Sequence, residues 1–302
     1  MRALLLYNPR AGQSADKRYA LQLVAATLRQ QSYEVEIQAT DAKGSAGTQA
    51  QQAIAQGFDT IFACGGDGTI HDILQGMVNQ PATLGIIPLG TANALARHIG
   101  LSLDAVEAVI QQLSFTPQLV PVGKIEMGEQ IRYFTVMAGA GADGALVYRM
   151  LTGDKQTFGR AAYYLQAAKL FVTSRFPIFN LEYAPIGKPT VHRRAVSVMA
   201  LRIDDLGGIF SPLARGAAIH DAHLQLVIVK PHAWLSLPLW FATGYSRLHR
   251  WNPMLENVNV SEFTVTQHLA PINLQADGEW IGKAPMRVTL LPNALRLLLP
   301  KA

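Results

Sequence analysis

Thr60-Ile61-Phe62-Ala63-Cys64-Gly65-Gly66-Asp67-Gly68-Thr69-Ile70-His71-Asp72 is the stretch around which the rest of the chain is organised. Thr60 to Cys64 are β-branched, aromatic or small and carry no charge. Such a short continuous run predicts a strand buried on both faces, as in a parallel sheet. Three glycines around one carboxylate follow it. Glycine lets a ligand approach the peptide N–H groups, because no Cβ stands in the way. Thr69 is placed to cap a helix starting near Ile70, whose N-terminal N–H groups and dipole favour an anion. Strand, glycine loop and helix together make a phosphate cradle, although Gly-Gly-Asp-Gly alone also suits a plain tight turn. No Gly-Lys-Ser/Thr follows, so this is not a Walker A loop, and the glycine spacing does not fit a dinucleotide fingerprint. Asp67 is the odd residue: a carboxylate in a phosphate loop repels its ligand unless it holds a cation or a proton.

The surrounding chain supports a folded, two-domain protein. It has 302 residues, 49% of them hydrophobic and 16% charged, which is enough for two cores. The single cysteine, Cys64, excludes an intrachain disulfide, agrees with a reducing compartment and falls in the core strand as an inert thiol. The apolar run Ala3–Tyr7 is too short for a signal peptide, and no run approaches the roughly 20 residues that span a bilayer. A cytoplasmic protein is therefore expected, with peripheral contact on the inner face of the membrane left open. Residues 1–125 hold 8 Lys/Arg against 9 Asp/Glu, whereas residues 126–302 hold 18 against 12. A basic second half suits an anionic lipid surface. Nucleic acid is not expected as a partner, since the basic residues come singly or in pairs such as Arg193-Arg194 and no recognition helix is visible.

Four strand–loop–helix units can be read before residue 100. Strands are predicted at Ala3–Tyr7, Tyr33–Ile37, Thr60–Cys64 and Leu84–Ile87, with helices over Lys17–Gln31, Gln49–Gln56, the segment through Val78, and Ala92–Ile99. This βαβ order implies a doubly wound parallel sheet, with its strand-end loops gathered at one edge. Asn8–Gly12, Thr40, Gly65–Thr69 and Gly90–Asn93 converge there by topology. Beyond about Pro121 the pattern changes to short runs separated by Gly, Pro and Asp, which argues for an antiparallel β-sandwich. Ile131–Val136 reads as a strand entering a glycine-rich turn over Met137–Gly144, and Gly159–Thr173 as a helix. The expected domains are an α/β nucleotide-binding domain over 1–125 and a β-sandwich over 126–290, with the tail 291–302 folding back onto the first.

Five motifs stand in order along this chain: Asn8-Pro9-Arg10-Ala11-Gly12, Gly65–Thr69, Pro88-Leu89-Gly90-Thr91-Ala92-Asn93, Ala138-Gly139-Ala140-Gly141-Ala142-Asp143, and Asp277-Gly278-Glu279. Together they resemble the diacylglycerol-kinase-like bacterial lipid kinases over nearly the whole length. The Pro-Leu-Gly-Thr-Ala-Asn run separates the chain from NAD kinases, which share only Gly-Gly-Asp-Gly. The resemblance implies an ATP- and Mg²⁺-dependent kinase that phosphorylates a lipid hydroxyl, diacylglycerol-like, in an interdomain cleft at the membrane surface. It assigns Asn8, Thr40, Gly65, Gly66, Asp67, Gly68, Thr69, Gly90, Thr91 and Asn93 to the nucleotide. It gives Asp67 to the Mg²⁺ ion, and makes Glu279, or else Asp277, the proton acceptor. A sphingoid base or another lipid alcohol is the alternative substrate. A homodimer stays open.

Some residues carry a second reading. Asp277-Gly278 is also a standard hairpin pair, and Asp143 can simply hold its turn. Ser236–Phe241 with Arg247, Arg250 and Trp251 suits a lipid interface or ordinary core packing equally. Three departures from the resemblance stand out: Ala94 after Asn93 where many members have Asp, Pro121 where many have Asp, and His220-Asp221-Ala222-His223-Leu224-Gln225 where some hold a structural Mg²⁺ between acidic residues. Only Asp221 survives, so that second metal is not expected. Ala94 and Pro121 also admit a nucleotide- or lipid-sensing module that has lost catalysis.

Overall fold

The computed structural model describes residues 1–9, 15–42, 44–152, 176–204, 216–231, 255–266 and 270–301. The chain divides into two compact units, Met1–Val122 with Leu291–Ala302, and Gly123–Leu290. The helix expected over Gly159–Thr173, the aromatic and basic segment 236–251, and Arg10–Gly12 lie outside the described residues.

The first unit is built on the parallel strands β1 (Arg2–Tyr7), β2 (Glu34–Ala39), β3 (Thr60–Gly65) and β4 (Thr83–Pro88), ordered β2-β1-β3-β4. The end of the last strand, β15 (Met286–Leu299), joins this sheet parallel to β4, with Arg296 opposite Thr83 and Leu297 opposite Leu84. Both faces of the central strands are covered, which is why they read as continuous apolar runs. On one face Ala3, Leu5, Phe62, Cys64 and Ile87 pack with Leu21, Val24 and Leu28 of α1 (Ala15–Gln30) and Val109 of α5 (Ala105–Leu113). On the other side α2 (Ala46–Ala55) lies against α3 (Asp67–Met77), and the two touch β1 and β3. Strand β4 has Ile86 beyond its pairing with β15. There the buried amide of Gln112 from α5 takes the place of a neighbouring strand, accepting from Ile86 N at 2.8 Å and donating to Ile86 O at 2.7 Å.

Two local expectations are corrected here. Helix α3 starts at Asp67 with Gly66 as its cap, so Thr69 sits inside the first turn and caps nothing. Helix α4 is shorter than expected, Ala94–His98, because Asn93 adopts a left-handed backbone with φ of 50°. Helix α5 is an addition to the elements expected; Asp104 caps it, accepting from Val106 N and Glu107 N at 2.9 Å each.

In the second unit the antiparallel order is β14 (Glu279–Lys283), β13 (Asn273–Ala276), β7 (Met137–Gly141), β10 (Ser197–Leu201), β11 (Leu224–Val229), β12 (Leu255–Val265). Strand β8 (Phe179–Pro185) pairs with β12 and with β9 (Val191–Ala195), and β5 (Thr116–Met127) pairs with β6 (Gln130–Phe134). Alternation divides β10 and β11 between two cores. Val198, Ala200, Leu226 and Ile228 enter a sandwich core with Phe134, Phe179, Leu181 and Phe263. Met199, Leu201, Val227 and Val229 pack instead on Ala142 and Leu146 of α6 (Ala142–Thr152). Met137–Gly141 is thus a strand rather than the expected turn. Its Gly/Ala composition hides it, because a buried strand with almost no side chains has no apolar signal to read. Residues 286–291 and 294–299 are likewise one strand, passing through Pro292 and through Asn293 at φ 50°.

One buried cation organises the segment before β11. The Arg202 guanidinium donates to the carbonyls of Asp221 at 2.7 Å and His223 at 3.2 Å, and also to that of Ile219. Burial lowers its pKa to about 10, which still leaves it charged at neutral pH. Asp221 itself accepts from Ala218 N at 2.8 Å. The turn is therefore held by main-chain carbonyls on a side-chain cation. Replacing Arg202→Met strips those carbonyls of their donors, and urea unfolding is expected to show a loss of about 2–4 kcal/mol.

Candidate active site

The loops after β1, β2, β3 and β4 share the carboxyl edge of the parallel sheet. Tyr7 stands opposite both Ala39 and Cys64, and Gly65 opposite Pro88. Two bonds extend this register into the loops: Thr40 N donates to Tyr7 O at 2.8 Å, and Leu89 N to Gly65 O at 2.9 Å. Asn8, Thr40, Gly65–Thr69 and Gly90–Asn93 are thus brought together at one edge.

The third and fourth loops touch through bare backbone. A Cβ on Gly90 would stand 2.3 Å from Gly66 Cα and 2.7 Å from Asn93 Oδ1, so Gly90 tolerates no side chain, and one on Gly66 would press on Gly90 Cα at 3.1 Å. Asn93 is buried and shapes its loop from within, accepting from Gly90 N at 3.1 Å and donating to Gly90 O at 3.0 Å. Asp67, the first residue of α3, reaches across so that its Oδ1 accepts from Ala94 N at 2.7 Å. Gly66 caps α3, and Asp67 and Gly68 open this 11-residue helix, whose first N–H groups precede its internal hydrogen-bond ladder. Thr91 is exposed on the facing loop.

Two residues at this edge carry no motif. Lys17 from α1 donates to Leu89 O at 2.8 Å, placing an ammonium beside the Gly90 loop. Gln49, buried in α2, brackets Thr40: its amide donates to Ala39 O at 3.0 Å and accepts from Asp41 N at 3.2 Å. Nothing in local sequence marks either one, since a lysine or glutamine on an amphipathic helix reads as solvated surface.

In the second unit the late Asp-Gly-Glu motif forms the turn between β13 and β14. Asp277 and Gly278 have φ of 48° and 81°, the pair of positive values that a type I′ hairpin needs. The motif is a hairpin turn and something more. The buried Asp277 carboxylate accepts from three consecutive main-chain groups, Thr135 N at 3.0 Å, Val136 N at 2.8 Å and Met137 N at 3.0 Å. It anchors the turn to the link between β6 and β7. Glu279 follows, half-buried, as the first residue of β14. Asp143, at the start of α6, accepts from Gln275 Nε2 at 2.6 Å across a strand kept bare by Gly139, where a Cβ would lie 1.9 Å from Asp143 Oδ2. Burial pushes the Asp143 carboxyl up to about 6, against the lowering effect of the Gln275 hydrogen bond.

Residues 2–125 match the diacylglycerol kinase catalytic domain, and residues 136–299 match the YegS C-terminal NAD kinase beta sandwich-like domain. The chain belongs to the diacylglycerol kinase-like, YegS-type family. Within that family it is 29% identical over 312 residues to a diacylglycerol kinase of Bacillus subtilis (strain 168), covering 99% of this chain and 97% of that one. It is 28% identical over 306 residues to a diacylglycerol kinase of Staphylococcus haemolyticus (strain JCSC1435), covering 99% of this chain and 88% of the other. A solved structure from Bacillus anthracis str. Sterne shares the fold with a TM-score of 0.76 at 22% identity, over 99% of this chain and 97% of that one. The YegS-type architecture of a parallel-sheet catalytic domain and a β-sandwich is thus the fold of this chain.

Among the described residues no group of three His, Cys, Asp or Glu side chains could hold a metal by itself, and no helix is long and apolar enough to cross a membrane. The Cys64 thiol is buried, and burial pushes its pKa up, so it stays protonated and inert.

This geometry makes two outcomes checkable. Gly90→Ala forces the Gly66 and Gly90 loops apart and is expected to weaken ATP binding at least about tenfold in a titration, because a shift of the order of an ångström at a preorganised site has that effect. Asp143 is easier to protonate folded than unfolded, so its ionisation opposes folding above pH 6 and has no effect below pH 4. Asp143→Asn is therefore expected to stabilise the protein by about 1–2 kcal/mol at pH 7.5, with the difference vanishing towards pH 4 in paired thermal melts.

Proposed function

We propose that the chain transfers the γ-phosphoryl group of ATP to the hydroxyl of a diacylglycerol-like lipid presented at a membrane surface. The observation that carries this is the side-chain-free contact of Gly66 and Gly90 at the start of α3, in a chain whose relatives are named diacylglycerol kinase. Phosphoryl transfer is mostly positioning and neutralisation of charge, and bare loop backbone at a helix N-terminus supplies donors for both. Thr40 and Thr91 flank that backbone, and the Lys17 ammonium lies beside it as a counter-charge.

The donor set fits a Mg²⁺ ion that is shared with the nucleotide rather than caged by protein. Mg²⁺ is commonly held by one or two carboxylates plus substrate phosphates, and Asp67 is the carboxylate at this edge. Its Oδ1 already accepts from Ala94 N, so Asp67 would serve the ion while tying the two loops. When bound, the ion supplies charge neutralisation on the phosphates.

Glu279 takes the proton of the lipid hydroxyl. The lipid oxygen then bonds to the γ-phosphorus as its bond to the bridging β–γ oxygen breaks, and ADP leaves. Asp277 belongs to the same motif, but its carboxylate is occupied by three main-chain donors. Its role is to fix the turn, which leaves the proton to Glu279. The excess of Lys and Arg over residues 126–302 favours peripheral contact with an anionic leaflet.

γ-Labelled ATP with detergent micelles of diacylglycerol, sphingoid base or monoacylglycerol tests the reading directly. Labelled phosphatidic acid is the expected product. Glu279→Gln should lower its formation by at least about a hundredfold, the usual contribution of a positioned proton acceptor. Asp67→Asn keeps an acceptor for Ala94 N, so it should spare stability and lose Mg²⁺-dependent turnover. ATP binding without transfer to any lipid would overturn the kinase reading in favour of a sensor.

A further inference from the structure

The two residues at the Asp277 anchor and just after it have separate supports. Asp277 is held by its carboxylate and by its own N–H, which donates to Met137 O at 2.8 Å. Gly278, the residue directly before Glu279, is held by a different side chain: Gly278 N donates to Gln275 Oε1 at 3.0 Å. Gln275 is 1% exposed and its other amide atom, Nε2, donates to Asp143 Oδ2 at 2.6 Å. An amide can turn end for end, and only its partners decide which way it faces. Here the partners are opposite in kind: a carboxylate that accepts on one side and a peptide N–H that donates on the other. The Asp143 carboxylate therefore fixes the polarity of Gln275, and Gln275 holds the Asp277–Gly278 peptide, one peptide before Glu279.

Asp143 is in turn set by its surroundings. Asp143 N donates to Ser197 Oγ at 3.3 Å, and Ser197 Oγ donates to Ala140 O at 3.2 Å, which ties the start of α6 to β7 and β10. The carboxylate then lies over Gly139, in space that any side chain there would fill. Helix α6 and the hairpin turn thus meet at one amide, beside the bare backbone of β7.

We propose that Gln275 and Asp143 are a positioning pair for Glu279, Gln275 holding the Gly278 peptide and Asp143 holding Gln275 in the one orientation that can do so. This rests on Glu279 being the proton acceptor. Neither residue touches substrate in this assignment. Their effect is on where the Glu279 carboxylate sits relative to the lipid hydroxyl, a placement in which errors of about an ångström cost up to about a hundredfold in rate.

The test compares steady-state kinetics of the full chain with ATP and diacylglycerol micelles. Gln275→Met keeps the side-chain length and removes both hydrogen bonds, and Asp143→Leu removes the acceptor. Each is expected to lower kcat about tenfold to a hundredfold, with KM for ATP within about twofold of the parent. Asp143→Asn retains an oxygen for Gln275 Nε2 and should recover most of what Asp143→Leu loses. The deciding readout is the double variant: on the residual turnover of Glu279→Gln, Gln275→Met should have no further effect, because the group it positions is gone. Additive losses in that background, unchanged kcat in Gln275→Met, or an Asp143→Asn variant as slow as Asp143→Leu would each overturn the pairing. Full activity of Glu279→Gln would instead remove the proton-acceptor reading beneath it, so the two failures are distinct. Should Gln275→Met fail to fold, as judged by its thermal melt, the Asp143→Leu and Asp143→Asn comparison carries the same test alone and in the Glu279→Gln background.

Discussion

Two strand ends in the first unit touch with nothing but backbone between them, and the proposed nucleotide half of the site depends on that contact. Gly66 and Gly90 lie so close that a methyl group on Gly90 would fall 2.3 Å from Gly66 Cα. The gap is fixed from both directions: by Leu89 N on Gly65 O along the sheet, and by Asp67 Oδ1 on Ala94 N across it. A carboxylate in a phosphate loop looks self-defeating in sequence. It is less so once its charge answers the first peptide of the next loop's helix, since one carboxylate then bridges two loops through one of its oxygens. The side chain at position 94 takes no part in this bond. The main chain at that position is what Asp67 uses.

How far the sequence can be read depends on whether a residue's role is local. Strands β1, β3 and β4 are legible because burial on both faces writes itself as uninterrupted apolar runs. The loops after them are legible because glycines clustered at a strand end mark backbone that something must approach closely. Strand β7 is not, because Met137–Gly141 is buried by smallness, and a row of Gly and Ala reads as a turn. Asn93 and Asn293 both take positive φ, but one ends a loop and starts a helix while the other lies within a continuous strand. The residue type announces the dihedral and not what the chain does next.

Buried amides leave no mark in the sequence at all. Gln49, Gln112 and Gln275 are each less than 5% exposed. Each uses both ends of its amide on groups that sheet pairing does not reach: Gln49 around Thr40, Gln112 along β4 beyond its pairing with β15, Gln275 beneath the Glu279 turn. An amide is suited to this because it donates and accepts in one plane without a charge to desolvate. Glutamine is also ordinary on any helix or strand surface, so composition and periodicity carry no trace of the role. Only long-range contacts distinguish the structural glutamines from the solvated ones.

The motif carboxylates show the converse. Asp67, Asp143 and Asp277 are conspicuous in sequence as acids among glycines; the family resemblance gives chemistry to Asp67 and Asp277, whereas Asp143 reads as holding its turn. In the structure each accepts from a main-chain or amide donor: one N–H for Asp67, one amide for Asp143, three N–H groups for Asp277. Glycine is what permits this, since a short acid can reach a neighbouring backbone only where no side chain intervenes. A Gly-Asp pairing in a motif is therefore as much a statement about how two segments are joined as about a reaction. Glu279, half-buried, is set on a strand just after the joint rather than in it. In the proposed reaction the contribution of Glu279 therefore depends on what holds that turn as well as on the Asp-Gly-Glu letters.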